Sequence, residues 1–486
     1  MALARRAWDD QEMRSERPQQ PVPDSASWHA VFQDLQRQHG FEALSVEGTL
    51  PSDLCGTLIR NGPGMFTGAE GRFEHLFDAD GAVSAVRIAN GAAEGAVRLV
   101  ESEATRRERK WGKCGHAGWA TPGRLWRMRN SANTNVMRYQ GAYLALYEAG
   151  RPTALAPDTL QSLGEVDLGG VVLGAFSAHP SYVPQRKATY NFGVRYGLRT
   201  SMDVYELADE GPARRLLSLP LSGAPVMFHD FVATENHLVF FVPPLRLRAW
   251  WMLLSGAAAA DNTRWKPDLG TEVIVVPIDD PASYTRFKTD PFFQWHFANA
   301  FEDQDAIVVD VMRYPDYGTG QWLADLYARG NPGREADGTL HRLVVQPRER
   351  RVKSWELNAT PGEFPTIDPQ QATQRHDAIY MAGHSSVELS ARSLQDVLVR
   401  VCPESGQSQQ FSLGPGCFPG EPLIAGRHLL SMVYDAGSHR TFVAVMERDR
   451  LEAGPVARIH FDQHIPLSFH GQWIPASERA LKIRSA

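Results

Sequence analysis

From Phe41 onward the chain is cut into runs of four to eight residues rich in Val, Ile, Leu, Phe and Tyr, separated by turn residues. Runs of this length read as β-strands, and turns such as Asp80-Gly81 and Asp435-Ala436-Gly437 punctuate them. Val226–Val242, Thr271–Pro277, Leu429–Tyr434 and Thr441–Met446 are read most readily as strands. The 41 glycines and 32 prolines are spread along the whole length, and no shift in composition marks an internal boundary. No repeat of the WD or kelch kind is visible. Periodicity alone therefore predicts an all-β protein, either a propeller or stacked sandwiches.

Residues 1–24 are polar and charged with a Pro-rich end and read as a flexible segment, leaving 25–486 as one domain. Ser27 is expected to cap a short helix that places Trp28, Phe32 and Leu35 on one face. A net charge of −6 gives no basis for nucleic-acid binding. Cys55, Cys114, Cys402 and Cys417 have no CxxC spacing and read as reduced thiols of a cytoplasmic protein. The N-terminus lacks the apolar core of a signal peptide, and no run of 18 apolar residues predicts a membrane span. Leu245–Ala260 (LRLRAWWMLLSGAAAA) breaks the strand pattern. It fits either a buried helix or an exposed apolar surface whose neighbours Arg246 and Arg248 suit a peripheral membrane contact.

Four histidines, His179, His229, His296 and His470, each sit in a short apolar segment read as buried strand. A buried imidazole needs partners for both ring nitrogens, and a bound metal satisfies one. The four are separated by 50, 67 and 174 residues, so no single helix or hairpin supplies them. Distant structural units would have to bring them to one point, such as the axis of a closed ring of sheets. The plainer alternative is four ordinary core histidines bonded to backbone. Glu148, Glu363 and Glu421 lie in equally apolar surroundings, where an unpaired carboxylate is costly. Metal-bound histidines commonly donate the second ring N–H to a carboxylate, so three glutamates would serve three of the four. Salt bridges to arginine, or exposure in turns, are the competing reading.

Ordered marks along the chain give a further lead. They are Gly56-Thr57-Leu58-Ile59-Arg60-Asn61-Gly62-Pro63-Gly64, His75-Leu76-Phe77-Asp78-Ala79-Asp80-Gly81, Ala132-Asn133-Thr134-Asn135-Val136, Ala178-His179-Pro180, Phe228-His229-Asp230-Phe231 and Phe469-His470-Gly471-Gln472-Trp473. In this set the chain resembles the carotenoid cleavage oxygenase family, from about Phe41 to the C-terminus. Ala79 departs from the usual glycine and Gln472 from the usual threonine, neither at a metal ligand. The resemblance implies a seven-bladed β-propeller with a dome of loops over the metal face. It implies that His179, His229, His296 and His470 bind one Fe2+, backed by Glu148, Glu363 and Glu421. Thr134 would lie near an open position and restrict it. The implied reaction uses O2 to cleave one double bond of a lipophilic conjugated polyene, giving two carbonyl products.

Four neutral imidazoles without thiolates suit a first-row divalent metal and argue against structural zinc. No HExxH is present. His460-Phe461-Asp462 has the HxD form of another oxygenase class, but only a short tail follows it, and it is read as accidental. Asp78 and Asp80 are read as residues of a hairpin turn. Stilbene-cleaving members grip a phenol with tyrosine and lysine. The stretch Arg127–Ser131 has no lysine, although Arg129 could stand in. An apocarotenoid or carotenoid is therefore the expected substrate, a stilbenoid the alternative. An inactive propeller that only binds apolar ligands is the reading of a different class.

Overall fold

A computed structural model describes residues 28–112, 116–122, 125–197, 199–248 and 258–476. The segment 1–24, Ser27 and Cys114 lie outside the described residues, as does the apolar centre of Leu245–Ala260. Among the described residues, seven sheets of four to six strands follow one another along the chain as the blades of a β-propeller.

The first blade has the order His39–Ala43, Ala92–Leu99, Asp80–Ala89, Gly56–Met65 and His470–Pro475. The second runs Asn135–Tyr139, Ala142–Leu146, Thr153–Leu155 and Ser162–Glu165, the third Ser181–Val183, Ala188–Arg195, Ser201–Ala208 and Arg214–Pro220. The fourth comprises Val232–Ala233, His237–Val242, Thr271–Pro277 and Thr285–Thr289, and the fifth Phe293–Asp303, Ala306–Tyr314, Thr339–Gln346 and Arg351–Asn358. The sixth is Gly362–Thr366, Ile379–Gly383, Val397–Val401 and Ser408–Phe411. The seventh joins Cys417–Pro419, His428–Asp435, Arg440–Glu447 and Pro455–His460 to the early strand Ser45–Gly48. An early strand and a late strand thus close the ring. Ser45–Gly48 completes the last blade, while His470–Pro475 completes the first.

A blade buried on both faces has no need of alternating polar residues, which is why the strands read as continuous apolar runs. In His237–Val242 (HLVFFV), Leu238, Phe240 and Val242 pack toward the third blade, among Phe192, Met202 and Val204. Val239 and Phe241 pack the other way, among Val309, Val311 and Leu343 of the fifth. Each fully buried side chain of this size contributes about 1.5–3 kcal/mol by leaving water, and such seams recur around the ring.

Among the described residues, three α-helices (Glu103–Trp111, Gly318–Arg329 and Val387–Ser390) and three two-stranded pairs lie outside the blades. The helix Gly318–Arg329 buries Trp322, Leu326 and Tyr327 against Trp28 and against Val31 and Phe32 of the short helical turn His29–Phe32 that follows Trp28. The helix Glu103–Trp111 starts at Ser102, whose side chain accepts from the Thr105 amide, and stops at left-handed Gly112. Leu245–Leu247 is a strand paired with Thr263–Trp265, not part of a helix.

Two local readings are corrected. In Val226–Val242 only Val232–Ala233 and His237–Val242 are strand, and Met227 takes a left-handed φ of 49°, outside the extended region of a regular ladder. Asp80-Gly81 is not a turn but the start of a ten-residue strand. Asp78 accepts from the amides of Trp119, Ala120 and Thr121, while Asp80 meets Thr105 and Arg129, so both acids tie segments outside the blades to the first blade or its edge. His460 pairs with Glu47 and Asp462 with Arg37, consistent with an accidental HxD.

Candidate metal centre

The innermost strand of each blade borders the ring axis, and the chemistry-bearing residues sit at or beside these strands. His179 immediately precedes the third blade, His229 the fourth, and Thr134 the second. His296 lies within the first strand of the fifth blade, Glu363 within that of the sixth, and His470 opens the closing strand. Glu421 follows the first strand of the seventh blade, and Glu148 the second strand of the second. The reading of all four histidines as strand residues is therefore corrected for His179 and His229, which occupy irregular loops.

Those loops are pinned by specific bonds. Before His179, the Ser177 amide donates to Phe192 O at 2.7 Å, and Asn191 Nδ2 donates to Ser177 O at 2.8 Å. Asn135 Nδ2 donates to Ala178 O, and Asn61 Nδ2 to the carbonyls of Ala132 and Asn135. Beside His229, the Asp230 carboxylate accepts from the amides of Phe231 and Phe297, linking this loop to the strand of His296. Burial pushes the Asp230 carboxyl up to about 7. Ala132, Met227 and Phe364 adopt left-handed backbone within two residues of Thr134, His229 and Glu363, strain of the kind that gathers at functional sites.

The four histidines converge. One potential ligand atom from each lies within 4.8 Å of all the others, and all four residues are buried. Carboxylates back three of them. His229 Nδ1 meets Glu148 Oε1, His296 Nδ1 meets Glu363 Oε2 at 2.6 Å, and His470 Nδ1 meets Glu421 Oε1 at 2.8 Å. His179 has no carboxylate partner among the described residues. Glu363 and Glu421 are largely buried, whereas the Glu148 side chain keeps 26% exposure, more than its sequence context suggests. Thr134 adjoins the site through its carbonyl, which accepts from the His470 amide at 3.2 Å.

This donor set fits a divalent metal. With each Nδ1–H given to a carboxylate, the opposite Nε2 carries a lone pair. His229 Nε2 and His296 Nε2 stand 3.2 Å apart, two lone pairs facing each other unless a cation or proton lies between them. His179 Nε2 is buried with no hydrogen-bond partner among the described residues. Burial, reinforced by its three imidazole neighbours, holds His179 well below the usual histidine range, so it stays a neutral donor. Burial likewise pulls His470 down to about 4, against the opposing pull of Glu421. At His296 burial is outweighed by Glu363, and its value moves up. Burial would raise Glu421, but Arg60 and His470 hold it below its ordinary range.

Several residues without an assigned role in the motifs prove to be supports. Arg60, 1% exposed, binds Glu421 through Nη1 and donates to Ser468 Oγ and Phe469 O. Asn133 Nδ2 donates to the carbonyls of Leu76, Phe77 and Ala79. Tyr314, on the strand beside that of His296, gives no sequence signal at all. Aromatic rings surround the centre: Phe364 stacks on His296 at 5.3 Å, and Trp295 meets His229 edge-on at 4.8 Å. Phe77 packs against both Trp295 and Phe469. Arg129 is not free to grip a substrate phenol, because it is buried and paired with Asp80 and Glu108.

Comparison with known proteins agrees with this geometry. The family model described as retinal pigment epithelial membrane protein matches residues 32–475. An apocarotenoid-15,15'-oxygenase of Synechocystis sp. is 28% identical over 94% of this chain and 98% of its own length. A resveratrol cleavage oxygenase of Chaetomium globosum is 26% identical over 93% of this chain and 89% of its own. The crystal structure of cobalt-substituted Synechocystis ACO superposes with a TM-score of 0.82 at 26% identity, covering 94% of this chain and 100% of that one. The chain belongs to the retinal pigment epithelial membrane protein family, the carotenoid cleavage oxygenases that its motifs resemble.

Proposed function

We propose that the protein is an Fe2+-dependent oxygenase that cleaves one carbon–carbon double bond of an apocarotenoid or carotenoid, each carbon of that bond receiving one oxygen atom of O2. The observation that carries this reading is the convergence of four buried histidine nitrogens, three of them backed by carboxylates, in a member of this family. His179, His229, His296 and His470 would hold the metal, and bound ferrous iron supplies the activation of dioxygen. The chain's own residues orient the imidazoles and exclude water. Phe77, Trp295, Phe364 and Phe469 give the polyene an apolar, polarisable surface. Thr134, held against His470, would narrow the approach to an open position.

The stilbenoid alternative draws on the resveratrol-cleaving relative. The engagement of Arg129 with Asp80 and Glu108 weighs against it, since that cation is not available to a phenol. Anaerobic iron loading, followed by a panel of apocarotenals and stilbenes in 18O2, tests the proposal. Two labelled carbonyl products from an apocarotenal are expected. Turnover of stilbenes alone would reverse the substrate assignment, and turnover of neither would favour a ligand-binding propeller. His229→Ala should abolish both activity and iron binding.

A polyene of this kind resides in bilayers, and no described helix is long and apolar enough to cross a membrane. Peripheral docking through Leu245–Ala260 is the proposed route of substrate entry, supported by the apolar composition of the segment and by exposed Arg248 beside it. Arg246 contributes less, being half-buried and bonded to Pro243 O and Leu245 O. Liposome co-sedimentation of the double variant Trp251→Glu, Leu254→Glu should show reduced binding. Unchanged binding by the folded variant would remove this segment from the proposal.

A further inference from the structure

The three carboxylates behind the histidines are held very differently. Glu148 has His229 as its partner and is a quarter exposed. Glu421 is clamped by the guanidinium of Arg60. Glu363 receives three donors: His296 Nδ1 at 2.6 Å and the Phe364 amide at 2.9 Å on Oε2, and the Tyr314 hydroxyl at 2.5 Å on Oε1. The first two act on one oxygen and leave the carboxylate able to pivot about it. A donor on the second oxygen fixes its plane, and with it the direction in which His296 presents its lone pair.

Tyr314 is 3% exposed and ends the strand Ala306–Tyr314, opposite Phe293 on the strand that carries His296. Its hydroxyl crosses from the fifth blade to Glu363 on the sixth. Gly338 stands against the same ring. A Cβ there would fall 2.3 Å from Tyr314 Cζ and 2.6 Å from its hydroxyl oxygen, closer than any real contact. A side chain at this position would therefore push the phenol aside.

We propose that Tyr314 is a positioning residue for the metal centre, acting through Glu363 on His296, and that Gly338 leaves the room its phenol needs. This rests on the reading of the four histidines as a metal site, which the wild-type arm of the experiment tests separately. The probe is Co2+ added to metal-free protein, read by chelator competition and by its visible absorption bands, with circular dichroism and thermal melting of the metal-free forms as folding controls. Wild type should bind one Co2+ per chain. Tyr314→Phe should fold and weaken Co2+ binding about 10-fold with shifted bands, within the range expected for loss of an outer hydrogen bond. Gly338→Ala, which displaces the ring without removing the hydroxyl, should move affinity and bands in the same direction, and it decides the matter if Tyr314→Phe does not fold. Combining Tyr314→Phe with Glu363→Gln should bind no more weakly than Glu363→Gln alone. Unaltered affinity and bands in a folded variant, or full additivity in the double variant, would overturn the positioning role. A wild type that binds no Co2+ would overturn the metal reading and this inference together.

Discussion

A buried histidine is worth reading by what each nitrogen faces. At His229, His296 and His470 one nitrogen faces a carboxylate and the other faces the common centre. Removing those carboxylates should not give equal results. Glu421→Gln leaves Arg60 buried opposite a neutral amide, and breaking a buried pair typically costs about 3–5 kcal/mol. Glu148→Gln strands no cation and sits at partial exposure. Both substitutions should weaken metal binding, but only Glu421→Gln should lower the melting temperature of the metal-free protein markedly, as calorimetry would show. His384 is a different case, buried with no hydrogen-bond partner on either nitrogen among the described residues and pushed down to about 3 by burial. Its folded value lies below its unfolded value of 6.5, so stability is intact above 6.5 and falls as pH drops toward 3. The slope is about 1.4 kcal/mol per pH unit for one such group. Urea titrations between pH 7 and 4 should show a shallower decline for His384→Leu than for wild type, and equal slopes would refute the assignment.

Elements here are shaped by how closely their backbones approach. The loop that carries His179 crosses the strand Ala188–Arg195 at Gly193, where a Cβ would lie 1.9 Å from Ala175 O. Ser177 and Asn191 add the bonds that keep this apolar segment out of regular strand. Gly193→Ala should therefore push the loop outward, lowering metal occupancy at least several-fold while the rest of the propeller stays folded. Metal analysis beside far-ultraviolet circular dichroism checks this, and a fully metallated variant would show that the close approach is not needed. In Phe228-His229-Asp230-Phe231 the motif itself was legible. The role of Asp230 was not, because one of its two acceptor bonds runs to Phe297 on another blade.

Across the whole molecule, the site lies where the third, fourth and fifth blades meet the closing strand, so a bound metal ties four separate parts of the ring together. A ligand bound only by the folded state stabilises it by about 2.7 kcal/mol at a concentration 100-fold above its Kd. Melting temperature should rise with free Fe2+ or Co2+ and fall on chelation, and His470→Ala should abolish that dependence. A melting temperature indifferent to metal in wild type would contradict a site that bridges blades.

The sequence by itself determined the strand-rich class, because two-sided burial writes continuous apolar runs between turn residues. It also singled out the four histidines and three glutamates, since each is a polar group in an apolar setting that must be answered by a partner. The carotenoid cleavage oxygenase likeness supplied the blade number, which spacing could not. Only the tertiary structure decided which partner answered which group. Arg60 reaches Glu421 across 361 residues and Tyr314 reaches Glu363 across 49, contacts between blades that leave no trace in local periodicity. The same holds for Arg129, whose sequence allowed a substrate contact until Asp80 and Glu108 were found to hold it. Residue type announces the need for a partner; chain closure in three dimensions chooses it.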